Sequence, residues 1–356
     1  MTTYRQLLVG ASAEDAITGM ARRLDAALRA VGTSEIYARH VTADVLGSVR
    51  HHTELGRARP GDVLIYHASY GDPEVTRLLL QRSEPIVLVY HNVTPSEHFL
   101  PFDPPFAAGL EWGRRELALI RPRVVRAVAD SSFNADDLRQ YGYDDVSVLP
   151  VGLDPYRLHH VAPDGVLAAE LRQQFPDGFV LWVSQLLPHK RVELALAATS
   201  LLRWVHQRDL GIVIAGFGRI RPYADAARAY ARILNVQKVR FTGVVPDAAL
   251  RTLFARASVF LTTSAHEGLG LPVSEAMAAG IPVIAAGAGA LPETIGDAGV
   301  VLPVDAGPML YAEAMAEVLS NEGLRCEMVR RGFRRADQLR ASGSVDRFVP
   351  LLQELG

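Results

Sequence analysis

Short apolar runs alternate with longer helical patterns along almost the whole chain. In the first half, Arg5–Val9, Val63–Tyr66, Ile86–Tyr90 and Val146–Leu149 are predicted strands. In the second half the predicted strands are Phe179–Val183, Gly211–Ala215, Val239–Thr242, Val259–Thr262, Pro282–Ala285 and Val300–Leu302. As a set they lack strict alternation between apolar and polar, which suits strands covered on both faces. Between them, Ala16–Val31, Arg191–Trp204, Ala224–Leu234 and Ala248–Ala255 carry helical spacing. Strand–helix alternation predicts parallel sheets with helices on both sides.

The pattern restarts near residue 178, after the turn-rich exit Pro150-Val151-Gly152-Leu153-Asp154-Pro155 and a polar stretch ending at Pro176-Asp177-Gly178. Two doubly wound α/β domains are expected, residues 1–165 and 166–340, with a final helix over Val345–Leu355 in the segment 341–356. Ligands of such folds sit at the carboxyl ends of the strands, and two such domains suggest a cleft.

Composition narrows the class. The 356 residues are 49% hydrophobic and 21% charged, enough for large cores. A net charge of -2 gives no general attraction to nucleic acid, and none is expected as a partner. The single cysteine, Cys326, cannot form an internal disulfide, which fits a reducing cytoplasm. The opening MTTYRQLLVGAS holds no long apolar signal core, so a mature start is expected. The uncharged stretch between Glu275 and Glu293 is interrupted by Gly280, Pro282, Gly287, Gly289 and Pro292. It falls short of the roughly 20 apolar residues of a spanning helix.

The densest chemistry lies in Ser264-Ala265-His266-Glu267-Gly268-Leu269-Gly270-Leu271-Pro272-Val273-Ser274-Glu275-Ala276-Met277-Ala278-Ala279-Gly280-Ile281-Pro282-Val283. Gly268 and Gly270 let the backbone turn tightly beside a ligand, Pro272 suits a first helical turn, and Gly280 ends the helix. The helix start would face a phosphate or hydroxyl in the loop. Glu267 precedes this helix and Glu275 lies about a turn inside it, so the two acids reach different parts of one ligand.

This stretch resembles the family-4 group of retaining GT-B glycosyltransferases (glycosyl transferases group 1), whose mark is two glutamates with seven residues between them. The resemblance implies a GT-B fold, two Rossmann-like domains facing a central cleft. It implies that Glu275 holds the ribose hydroxyls of a nucleotide, and that Glu267 with the amides of Gly268, Leu269, Gly270 and Leu271 holds the donor sugar and its phosphate. A second match is Val183-Ser184-Gln185-Leu186-Leu187-Pro188-His189-Lys190-Arg191. Lys190 fits the family lysine that neutralises the departing diphosphate. Gln185 stands where the family has arginine, and Arg191 or Arg219 are candidates to compensate. His91, in Tyr90-His91-Asn92-Val93-Thr94, resembles the family histidine beside the donor hexose and phosphate. His67 resembles a family strand end and is given no role. Asp15-Ala16-Ile17-Thr18-Gly19 is expected to open the first helix, though relatives often have glycine where this chain has Glu14. Gly243-Val244 resembles the base-binding edge.

The resemblance further implies transfer of a hexose from a nucleoside-diphosphate sugar (GDP-mannose or a UDP-hexose) to a saccharide or lipid-linked saccharide. Cell-surface polysaccharide synthesis is its common setting. No Asp-x-Asp element is present, so neither a metal nor a cofactor is expected. Lys190 and the helix start would carry the leaving-group charge. No carboxylate nucleophile stands out, which favours front-face substitution. Gly216-Phe217-Gly218 lacks the third glycine of a dinucleotide fingerprint, because residue 221 is arginine. Arg114, Arg115, Arg121, Arg123 and Arg126 within Glu111–Ala129 suggest peripheral contact with the inner face of a membrane, against the plainer reading of a solvated face. The competing functions are a GT-B sugar-nucleotide epimerase, a pyridoxal-phosphate phosphorylase (for which no lysine motif is seen) and a non-catalytic sugar-nucleotide binding module.

Overall fold

The computed structural model describes residues 2–354. The chain forms two compact units, 1–153 with 341–356, and 154–340. The passage between them falls at Leu153/Asp154.

The first unit holds strands β1 (Thr3–Ala11), β2 (Thr33–Val41), β3 (Arg50–His51), β4 (Asp62–Ala68), β5 (Ile86–Tyr90), β6 (Val124–Ala129) and β7 (Val146–Val148). They make one sheet in the order β3-β2-β1-β4-β5-β6-β7. Every pairing is parallel, with Thr3 opposite Thr33 on one side and Asp62 on the other. β5 is buried throughout, as its unbroken Ile-Val-Leu-Val-Tyr run requires. The helix Ala16–Leu28 starts at Asp15, whose carboxylate accepts from the Thr18 amide at 2.8 Å. The terminal helix Val345–Gln353 sets Phe348 and Leu352 into the core of this unit beside Tyr4, Leu24, Leu28 and Val63.

The second unit holds β8 (Phe179–Val183), β9 (Gly211–Ala215), β10 (Val239–Gly243), β11 (Val259–Thr262), β12 (Val283–Ala286) and β13 (Val300–Leu302), in the order β10-β9-β8-β11-β12-β13 and parallel throughout. Trp182, Val192, Leu196, Ile212, Ile214 and Leu261 share its main core. The order reverses between β8 and β11, so the loops leaving their carboxyl ends diverge around a topological switch point. Both units are thus the doubly wound α/β layers the sequence pattern predicts. Strands β2, β3 and β6 are additions to that prediction.

Candidate active site

Two loops meet at the switch point of the second unit. The first leaves β8 through Ser184-Gln185, makes a 3₁₀ turn over Pro188–Lys190 and enters the helix Val192–His206. The second leaves β11 and ends at Gly270, whose φ of 83° lies in the left-handed region, before the helix Leu271–Ala278 begins with Pro272 in its first turn. Thr263 ties the loops together. Its hydroxyl donates to the carbonyls of Lys190 at 2.9 Å and Arg191 at 2.8 Å, and the Arg191 guanidinium returns a 2.7 Å bond to the Thr263 carbonyl. A further bond joins the Ala265 amide to the His189 carbonyl at 2.6 Å. The Lys190 backbone therefore sits beside the glutamate loop.

The side chains meet there as well. Lys190 Nζ lies 2.7 Å from Glu267 Oε1, and Ser264 Oγ donates to the same oxygen at 2.9 Å. Both charged side chains are mostly sheltered, 14% and 17% exposed. The Glu267 carbonyl accepts from the Ala290 amide at 2.9 Å. Gly289 lets the two segments approach: at its φ of 57°, a Cβ would stand 2.1 Å from the Glu267 carbonyl oxygen.

Glu275 is only 4% exposed, and its Oε1 pairs with Arg157 Nε, whose Nη1 also reaches Asp247 Oδ1 at 2.8 Å. Burial works against the Arg157 charge. The Glu275 and Asp247 carboxylates outweigh it, so its pKa rises from an already high value. Arg157 follows the Gly152-Leu153-Asp154-Pro155 turn, which the sequence pattern marks only as an exit from a strand. Its partner lies 118 residues away, and no local spacing signals the pair.

The remaining candidates of this unit line the same sheet edge more loosely. Gln185 is exposed, and so is Val244, which follows Gly243 at φ 66°. The Gly243 carbonyl accepts from the Gly216 amide at 2.9 Å. Arg191, a candidate to compensate for the missing arginine at 185, donates to the carbonyls of Thr263 and, at 2.8 Å, Val304.

In the first unit His91 follows β5. Its Nδ1 lies 2.6 Å from Asp130 Oδ2 and its Nε2 lies 2.9 Å from His67 Nδ1. Both ring nitrogens are therefore engaged inside the unit, and the side chain is 3% exposed. This alters the expectation of a direct hydrogen bond from His91 to a sugar. The next residues are braced too: Asn92 takes a φ of 79°, and Arg114 bonds the Val93 carbonyl and Asp137 at 2.7 and 2.8 Å.

The arginines of Glu111–Ala129 each find a partner within the first unit. Arg114 pairs with Asp137, Arg115 with Glu111 and Arg126 with Glu354, while Arg121 and Arg123 donate to the carbonyls of Gly142 and Arg82. Among the described residues no helix is long and apolar enough to cross a membrane.

Residues 169–335 match the family model described as "Glycosyl transferases group 1". The chain is 30% identical over 127 residues to the O-antigen chain mannosyltransferase B of Escherichia coli, covering 35% of this chain and 32% of that protein. It is 32% identical over 165 residues to the GDP-mannose:cellobiosyl-diphosphopolyprenol alpha-mannosyltransferase of Komagataeibacter xylinus, covering 45% and 39%. The chain thus spans between 32% and 39% of the length of these two curated relatives. Among solved structures, HepE of Anabaena in complex with UDP and glucose superposes with a TM-score of 0.75 at 17% identity, covering 99% of this chain and 100% of that one.

Proposed function

We propose, from the premise that residues 169–335 belong to the glycosyl transferases group 1 family on a GT-B α/β fold, that the protein moves mannose from GDP-mannose to a hydroxyl of a saccharide or lipid-linked saccharide, with retention of configuration. The observation that carries this reading is the sheltered Lys190–Glu267 pair, 2.7 Å apart, at the carboxyl ends of β8 and β11 and beside a helix start. Among the described residues Glu267 is the ion-pair partner of Lys190, and a helix start by itself disfavours cations. A diphosphate would take up that cation and release Glu267 to the sugar hydroxyls. The amides of Gly268 to Leu271 would serve the phosphate, Glu275 the ribose, and the main chain near Val244 the base.

In the reaction the bond between the anomeric carbon and the phosphate oxygen breaks, and the acceptor oxygen bonds to the same face of the sugar. The acceptor proton passes to the departing phosphate, leaving the glycoside and GDP. Lys190 and the helix start stabilise the charge that develops on the leaving group, so the step needs no metal. The names of the relatives, an O-antigen chain mannosyltransferase and a mannosyltransferase acting on a diphosphopolyprenol, support mannose as the sugar and a growing polysaccharide as the acceptor. A lipid-linked acceptor would bring the enzyme to the inner face of a membrane.

The test is incubation with GDP-mannose and a panel of saccharide and polyprenyl-diphosphate saccharide acceptors, with the new linkage read by NMR. An α-mannoside is expected. A β-mannoside, an epimerised donor without transfer, or transfer from a UDP-hexose alone would overturn, in turn, the stereochemistry, the reaction class or the donor.

A further inference from the structure

Four buried polar groups form one hydrogen-bonded row across neighbouring strands of the first unit. Gln6 lies on β1, His67 on β4, His91 just past β5 and Asp130 just past β6. Gln6 Nε2 donates to the Ala21 carbonyl at 3.0 Å, which turns its Oε1 toward His67 Nε2 at 2.9 Å. His67 Nδ1 then faces His91 Nε2 at 2.9 Å, and His91 Nδ1 faces Asp130 Oδ2 at 2.6 Å. The two imidazole rings lie 5° from parallel planes.

The proton count of this row is fixed by its contacts. Each of the three contacts from Gln6 Oε1 to Asp130 Oδ2 needs one proton between its two heavy atoms. Two neutral imidazoles supply two. The row therefore holds one proton more than two neutral histidines and a carboxylate bring. We propose that this extra proton resides on His91, making it a buried imidazolium paired with the Asp130 carboxylate, and that Gln6 and His67 are positioning residues that enforce it.

Three observations place the proton. His67 is only 2% exposed, and burial together with the neighbouring His91 pushes its pKa well below the ordinary histidine value, so it stays neutral. Asp130 stands just before Ser131, the N-cap of the helix Ser132–Arg139, where the positive helix end favours a carboxylate. Its Oδ1 is buried and finds no hydrogen-bond partner among the described residues, so an adjacent full positive charge is what balances it. An imidazole is also a stronger base than a carboxylate.

The consequence is a fixed cation under the carboxyl edge of the first sheet. Any use in catalysis rests on the glycosyl-transfer reading: its nitrogens are already engaged, so an anion brought to this sheet edge would feel it through charge. The proton count itself is independent of that reading.

The experiment is long-range ¹H–¹⁵N NMR of the full chain labelled at histidine, without substrate and at neutral pH. His91 is expected to show two protonated nitrogens, and His67 one protonated Nε2 and one bare Nδ1. Gln6→Leu removes the acceptor that fixes His67. Its proton is then expected to move to Nδ1, and His91 to become neutral. Should Gln6→Leu fail to fold, Asp130→Asn serves, since its amide can donate to a bare His91 Nδ1 and the extra proton is expected to be lost. A bare nitrogen on His91 in the unaltered protein, whether the proton lies on Asp130 or is absent, overturns the proposal. A doubly protonated His91 that survives both substitutions overturns the role of the row. If the imidazolium is found but no sugar is transferred, the functional reading fails and this one stands.

Discussion

Replacing Arg157 by glutamine isolates the energetics beneath the second glutamate. Glu275 is 3% exposed in its side chain, and Arg157 is the counter-ion bonded to its Oε1. Removing one partner of a fully buried pair costs about 3–5 kcal/mol, mostly because the other charge is left in a low-dielectric site. The Arg157 side chain is 25% exposed, so water reaches the pair and the expected loss is about 2 kcal/mol. Asp247, the other partner, is 56% exposed, and Asp247→Asn is expected to cost about 0–1 kcal/mol. The sign of the coupling is the sharper expectation. In Arg157→Gln/Glu275→Gln the buried carboxylate is removed together with its counter-ion, so the double variant should be more stable than Arg157→Gln alone. Urea unfolding of the four proteins, followed by fluorescence, measures both. A single-variant loss no larger than that of Asp247→Asn, or a double variant less stable than Arg157→Gln, would refute the argument that burial of Glu275 makes Arg157 necessary.

Lys190→Ala is expected to lower turnover by about two orders of magnitude, as loss of one leaving-group stabiliser does, with a smaller change in donor affinity; steady-state kinetics with varied donor check the split. Glu116 gives a pH dependence. Burial, partly opposed by hydrogen bonds from Thr76 and Tyr66, raises its pKa from 4.5 to about 7. The folded state thus keeps a proton that the unfolded chain releases, so its contribution is complete below pH 4.5 and fades as pH rises to about 7. The decline should total on the order of 3 kcal/mol. Glu116→Gln should flatten this part of the stability profile, and parallel profiles for the two proteins would count against a protonated Glu116.

The sequence is most legible where backbone demands leave few choices. Phe179–Val183 and Gly211–Ala215 are unbroken apolar runs because both faces of those strands are covered, and their bounds agree with the structure. The switch-point loop is legible for a similar reason: Gly270 must adopt a positive φ and Pro272 must fit a first helical turn. Strands nearer solvent are harder to see. Thr33–Val41 carries Glu35, Arg39 and His40, and Arg50–His51 is too short to show a period. Val124–Ala129 is masked by Arg126, so the segment reads as a charged face, although that arginine pairs with Glu354. The residues missed at the sites share one property. Arg157, Asp130 and Gln6 have polar partners 118, 39 and 61 positions away, respectively, and these contacts exist only once the sheets have formed. His67 is seen as a strand end, but its place between Gln6 and His91 is tertiary information.

The central claim is that the Lys190–Glu267 pair is the receptor for the diphosphate of a nucleotide sugar. A crystal structure of the protein with GDP tests it most directly. The expected result is a β-phosphate within hydrogen-bond reach of Lys190 Nζ, with ribose hydroxyls at Glu275. GDP bound elsewhere, with Lys190 still closed on Glu267, would contradict it.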